Sequence, residues 1–292
     1  MKVFVTGATG FIGSALVPEL IAAGHEVLGM TRSEEGAARL RAAGATPHFG
    51  TLEDLESLKS GAAQADAVIH LAFIHDFSKF MENCAKDRAA IETFGAVLAG
   101  SGRPLIVTSG TAVAHGSEPG TKATEDMTLS GSLNPRLASE ATALAQDTRV
   151  IIVRLPQVHD TVKQGLVSYL VRAAWEKGAV AYVGEGKNRW PAAHVSDVAR
   201  LYRLALEKGD AAIYHAVDEE GVPMKDMCEV LGKGMKLPVV SIPQEMAEEY
   251  FGWLAIFAGL DLVASSARTR KALGWTPVGV GMLEDLRGMK YE

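Results

Sequence analysis

A chain of 292 residues, 48% hydrophobic and 22% charged, is long enough for a sizeable core, built as one large domain or two interleaved ones. Its 29 basic against 35 acidic residues give a net charge of −6 without a basic run, which argues against nucleic acid or an anionic membrane as the main partner. Cys84 and Cys228 are far apart, the eight histidines show no metal-ligand spacing, and no apolar run reaches membrane-spanning length, so neither a disulfide framework nor a metal site is expected, and the location is expected to be cytoplasmic.

The first 33 residues form a nearly complete strand–helix–strand unit. A β-rich run at 2–6 leads into Gly7, Gly10 and Gly13. Residues 11–23 then carry Ile12, Leu16 and Leu20 at helical intervals, and a second β-rich run follows at 26–30. In this order Gly7 permits a sharp turn, Gly10 lets the backbone approach a pyrophosphate, and Gly13 lets the helix pack close to the sheet. The helix start adds free N–H groups and a positive dipole end, so Thr9, Phe11 and Ile12 join the three glycines as cofactor-binding candidates.

Alternation continues with a helix at 34–43, a strand at 45–49, a helix at 52–63, a strand at 67–71, a long helix at 77–99 and a strand at 105–108. A helix at 135–146 leads to a strand at 150–155. Near-continuous apolar runs such as Val150-Ile151-Ile152-Val153 suit a parallel sheet covered on both faces, so the predicted fold is α/β, a doubly wound parallel sheet of Rossmann type. The second half is less regular. Helices are expected at 165–177, 197–207, 224–232 and 244–258, and strands at 180–183, 213–217 and 239–242. The chain is read as a dinucleotide-binding domain at 1–155 and a mainly substrate-binding region at 156–292, interleaved with the sheet and sharing one cleft.

An NAD-preferring site carries an acid at the end of the second strand, where it accepts bonds from the adenosine ribose. Here that position reads Thr31-Arg32-Ser33, with no carboxylate. Arg32 supplies a planar fork of donors for a 2′-phosphate and Ser33 a further hydroxyl, so NADPH is expected over NADH. The competing reading makes Arg32 a solvated arginine that only stacks on adenine.

Several separated segments resemble the short-chain dehydrogenase/reductase superfamily, in its extended, epimerase/dehydratase-like branch. Thr6-Gly7-Ala8-Thr9-Gly10-Phe11-Ile12-Gly13 is similar to its TGxxGxxG, His70-Leu71-Ala72 to its HLAA segment, and Arg154-Leu155-Pro156-Gln157-Val158 to its R-P-x-N-V stretch. His194-Val195-Ser196-Asp197-Val198-Ala199 and Leu273-Gly274-Trp275-Thr276-Pro277 complete the likeness. The resemblance implies an NAD(P) cofactor lined by Leu52, Leu71, Ala72, Phe73, Thr108, Ser109 and Pro156, and a small-molecule substrate. It also implies pairing of two copies through the long helices at 77–99 and 135–146. One departure stands out. The family's Tyr-x-x-x-Lys, in which Tyr passes the proton and Lys lowers its pKa and holds the nicotinamide ribose, occurs nowhere in the chain. The aligned stretch puts Arg136 at the Tyr position and Glu140 at the Lys position.

The chemistry must then come from other groups. Arg136 keeps its charge at neutral pH and can bind a carboxylate or stabilise charge developing on a carbonyl oxygen. Glu140 can accept bonds from the ribose hydroxyls; alternatively the two form an i,i+4 pair without a catalytic part. Thr111 falls at the family's catalytic Ser/Thr position, its plainer alternative being a cap on the following turn. His115 and His159, in loops after the fifth and sixth strands, are the candidate proton donors, and His75 and Asp76 line the same cleft. Phe73, Tyr169 and Trp190 either wall an apolar pocket or are plain core. Three functions follow: an NADPH-dependent reductase of a C=O, C=N or activated C=C, a non-catalytic NADPH-binding sensor or scaffold, or an epimerase-like cycle on a tightly held cofactor, which normally relies on the missing Tyr.

Overall fold

The alternation of β-branched runs and amphipathic segments builds a seven-stranded parallel sheet. In the computed structural model, which describes residues 1–114, 120–127, 135–210 and 212–291, its strands are β1 (Lys2–Thr6), β2 (Glu26–Thr31), β3 (Thr46–Phe49), β4 (Ala67–His70), β5 (Pro104–Gly110), β6 (Arg149–Leu155) and a seventh, Ile213–His215. The spatial order runs from the seventh strand through β6, β5, β4 and β1 to β2 and β3. The chain winds outward from β1 in one direction and from β4 in the other, so the switch point lies between those two strands, where Thr6 is in register with His70.

Five helices fill the connections: α1 (Phe11–Ala22), α2 (Glu34–Ala42), α3 (Leu55–Ala63), α4 (Phe80–Leu98) and α5 (Pro135–Leu144). Alternate side chains of each strand feed opposite cores. Val3 and Val5 pack with Leu16, Leu20 and Tyr202 on one face, while Phe4 joins Leu58, Ile91 and Phe94 on the other. This two-sided burial is why the strands are apolar throughout.

The second half returns to the sheet. A helix at Val195–Lys208 packs on α1 and leads into the seventh strand. The remaining residues pack round their own core, which includes Trp190, Met227, Leu231 and Phe251, and contribute a three-stranded and a two-stranded sheet. Two of these strands, Arg189–His194 and Glu219–Pro223, escape the sequence reading because Pro191 lies within the first. The antiparallel register between them shifts between Glu219 and Val222, opposite that proline, where its missing N–H leaves no broken ladder bond. The helix expected at 244–258 is broken into short helical pieces, Gln244–Met246, Ala247–Phe251, Gly252–Leu254 and Ala255–Ala258. Gly252, at φ +56°, breaks it. The strand expected at 213–217 ends at His215, and helices at Ala267–Leu273 and Met282–Gly288 are additional.

Candidate active site

In the turn after β1, Gly7 and Gly13 each occupy a place that a side chain could not. Gly7 is left-handed at φ +67°, and a Cβ there would stand 2.9 Å from the amide nitrogen of Ala72 on the neighbouring strand end. A Cβ on Gly13 would collide with the Gly7 carbonyl oxygen, so only glycine lets α1 start this close to the strand. A Cβ on Gly10 would meet one atom only, the same carbonyl oxygen at 3.1 Å, and Gly10 is exposed; its face is open to an incoming group. No side chain caps the start of α1, which leaves its first amides and the positive end of its dipole for an anion.

At the end of β2, Ser33 caps α2 by accepting the Gly36 N–H at 3.2 Å, which leaves its own hydroxyl proton for another acceptor. Arg32 beside it is exposed, and among the described residues no hydrogen bond or ion pair engages its guanidinium. Ser109, at the carboxyl end of β5, has a buried hydroxyl without a partner among the described residues. Leu52 is buried, while Thr9, Phe11, Ile12, Leu71, Ala72, Phe73 and Pro156 are half-buried. An open glycine face, an uncapped helix start and an unengaged cation at the second strand's end fit a phosphorylated dinucleotide.

Beneath this turn lies a buried polar chain. Thr6 Oγ1 accepts the Ala72 N–H at 3.2 Å and sits 2.7 Å from His70 Nδ1. The other ring nitrogen, Nε2, stands 3.2 Å from Asp87 Oδ1. The other oxygen, Asp87 Oδ2, accepts from Arg136 Nη1 at 2.9 Å, and Arg136 Nη2 donates to the Thr108 carbonyl at 2.6 Å. Burial works against the charge of Asp87, but His70 and Arg136 outweigh it and hold the carboxyl at about 2. Arg136 also lies over the Phe73 ring, 4.4 Å from its centroid. The guanidinium thus spans the carboxyl ends of β4 and β5, on the wall of the switch-point crevice. Thr108 Oγ1 bridges the His70 carbonyl at 2.8 Å and the Tyr202 hydroxyl at 2.7 Å.

Asp87 is the site residue that the sequence reading misses. It lies on α4 among the buried positions Asn83, Ala90, Ile91 and Phe94; an acid on an otherwise inward-facing stripe is the signal that could have found it.

Other expectations need correction. Glu140 does not stand ready for a ribose: Arg154 engages both its oxygens, Nε to Oε1 at 2.9 Å and Nη2 to Oε2 at 2.7 Å, in a pair that is almost fully buried. Arg154 further donates to the Met127 carbonyl at 2.7 Å and meets His215 Nε2 at 3.4 Å. With Glu140 tied to β6, the cation at the carboxyl ends of β4 and β5 is Arg136. His159 is no loop donor either. It lies in a short strand, Gln157–His159, fully buried, with Nδ1 2.6 Å from Asp285 and its ring edge-on to His194; burial lowers its pKa against the pull of Asp285. His115 falls outside the described residues.

Thr111 is buried just past β5, and its hydroxyl donates to the Leu155 carbonyl across a long 3.3 Å. His75 is solvent-accessible on the cleft wall, edge-on to Phe73 at 5.3 Å. Desolvation by the surrounding protein lowers its pKa, and the charges of Arg136 and Lys163 add to this. Asp76 caps the turn after β4 through Ser78. Trp190 is core, its indole N–H donating to the Phe257 carbonyl at 3.2 Å, and Tyr169 packs edge-on against Trp253.

The family description "NAD dependent epimerase/dehydratase family" matches residues 3–217. An uncharacterized protein of Schizosaccharomyces pombe is 49% identical over the full length of both chains. The sterol-4-alpha-carboxylate 3-dehydrogenase (decarboxylating) of Dictyostelium discoideum is 30% identical, covering 76% of this chain and 72% of its own. Among solved structures, the UDP-glucose 4-epimerase of Thermotoga maritima with UDP-glucose superposes with a TM-score of 0.76 at 20% identity, covering 99% of this chain and 97% of that one. At that identity the likeness concerns the fold.

Proposed function

The chain belongs to the NAD-dependent epimerase/dehydratase family, and on that premise we propose that it is an NADPH-dependent reductase of a small carbonyl, imine or enone substrate. The observation that carries the cofactor preference is Arg32, an unengaged guanidinium where an NAD site would present an acid. When bound, the reduced nicotinamide supplies a hydride; everything else is asked of the chain. Arg136 offers a fixed positive charge to an oxygen that becomes negative as the hydride reaches its carbon, and Asp87 and the Thr108 carbonyl hold that charge in place. Thr111 can exchange its long bond to Leu155 for one to the substrate oxygen. Burial lowers the pKa of His75 and makes it a weaker proton carrier, and the proton that completes the reduction is drawn from water in the open cleft. Orientation alone contributes several kcal/mol to such a transfer, so a strong protein acid is not required.

Thr111→Val and Arg136→Met test this arrangement. Each is expected to lower kcat/KM by roughly a hundredfold while NADPH still binds, in line with the loss of one donor to a developing oxyanion. Turnover unchanged in both would overturn the assignment. The missing Tyr-x-x-x-Lys is the one observation that favours a second reading, an NADPH-binding sensor without turnover.

A further inference from the structure

One cation of the cleft has no part in the reductase scheme. Lys163 lies in the loop between the strand Gln157–His159 and the helix Val167–Lys177, and its ammonium stands 5.8 Å from the centroid of the Phe11 ring, at the first residue of α1. The second half of the chain thus reaches across to the phosphate-binding turn of the first. The loop is built to hold this reach. Asp160 Oδ1 accepts the N–H groups of Val162 and Lys163, both at 2.6 Å, and the buried Gln157 side chain takes the Gln164 carbonyl at 2.8 Å and the Leu166 N–H at 3.0 Å. No carboxylate pairs with the Lys163 ammonium among the described residues. Asp87, the acid that meets Arg136, has one oxygen taken by His70 and the other by Arg136. His75 lies within electrostatic reach of both Lys163 and Arg136. Asp160 spends one carboxylate oxygen on the two loop amides and Asp87 is already paired, so Lys163 and Arg136 stand as two cations, each set against an aromatic ring.

Resting on the reductase reading, we infer that the substrate carries a carboxylate on an apolar body, the carboxylate taken by Lys163 and the reducible carbon facing Arg136. An ammonium acts as a point charge on a flexible stem and takes a carboxylate oxygen without requiring a fixed two-pronged geometry.

The test separates this inference from the reductase reading because it needs no turnover. Phenylacetate and its neutral isostere phenylacetamide are titrated calorimetrically into the protein saturated with NADP⁺, for the natural chain, Lys163→Met and Lys163→Arg. The acid is expected to bind about tenfold to a hundredfold tighter than the amide, the preference to vanish in Lys163→Met and to return in Lys163→Arg, with NADP⁺ affinity unchanged within about twofold. Equal binding of acid and amide by the natural chain overturns the inference, even if neutral ketones are reduced. An acid preference that survives in Lys163→Met while NADP⁺ binding weakens tenfold also overturns it and gives Lys163 to the cofactor phosphates. An acid preference lost in Lys163→Met, with no oxoacid or ketone reduced, supports the anion site and counts against the reductase reading alone.

Discussion

Replacing Arg32 with alanine isolates the group on which cofactor choice depends. Its guanidinium is exposed at the end of β2, one residue before the Ser33 cap, and no hydrogen bond or ion pair engages it among the described residues, so truncation breaks none. A unit charge pair near 4 Å is worth about 1 kcal/mol in water and about 4 kcal/mol at the effective dielectric of a protein surface. Hydrogen bonds to charged groups contribute about 1.5–3 kcal/mol. The two estimates overlap at about 1.5–3 kcal/mol, which is roughly a tenfold to 150-fold rise in the Kd for NADPH. NADH lacks the 2′-phosphate and should bind Arg32→Ala as it binds the natural chain. Calorimetric titration of both cofactors into both proteins reads the difference directly. Because the site is exposed, the preference should shrink with added salt, as the Debye length falls from about 10 Å at 0.1 M towards about 3 Å at 1 M. Equal loss for NADPH and NADH would refute the reasoning and leave Arg32 stacking on adenine. No loss for either would remove it from the site.

Glu140→Gln should destabilise the fold by about 3–5 kcal/mol, because it leaves the buried Arg154 without its counter-charge, and thermal unfolding should show a Tm lowered by roughly 5–15 °C. If Glu140 instead held a ribose, NADPH affinity would fall with Tm unchanged. Acid should remove stability in two stages. Burial, with the Arg154 charge and against Glu125 and Glu140, pushes His215 down to about 4, so the stability tied to its neutral form is complete above about pH 6.5 and is lost as pH falls towards 4. Asp87, held at about 2, keeps its contribution above its ordinary value of 3.8 and loses it as pH falls through 2. That contribution is about 2–3 kcal/mol, and denaturant titrations across this range should show it absent in Asp87→Asn. A flat stability between pH 6.5 and 4 would contradict the account of His215.

What was legible in the sequence was local. Strand–turn–helix order, apolar runs and the spacing of Gly7, Gly10 and Gly13 each depend on a few neighbouring residues, and the sheet follows from them together with the handedness of crossovers. The site's side chains were less legible because their partners lie far along the chain. Arg136 and Glu140, four apart, read as a pair or as stand-ins for Tyr and Lys, yet one reaches Asp87 at a separation of 49 residues and the other Arg154 at 14. His159 looked like a loop residue because a three-residue strand is too short to show a period, and its acid, Asp285, lies 126 residues on. Pro191 hid a strand because the bulge that accommodates it belongs to the neighbouring strand.

The most direct test of the central claim is NADPH consumption by the purified protein against a panel of aldehydes, ketones, imines, enones and oxoacids, after titration has established saturation with cofactor. The account predicts oxidation that depends on substrate, that is faster with NADPH than with NADH, and that falls in Thr111→Val. Tight NADPH binding with no substrate-dependent oxidation anywhere in the panel would contradict it in favour of a sensor, and failure to bind NADPH would contradict both readings.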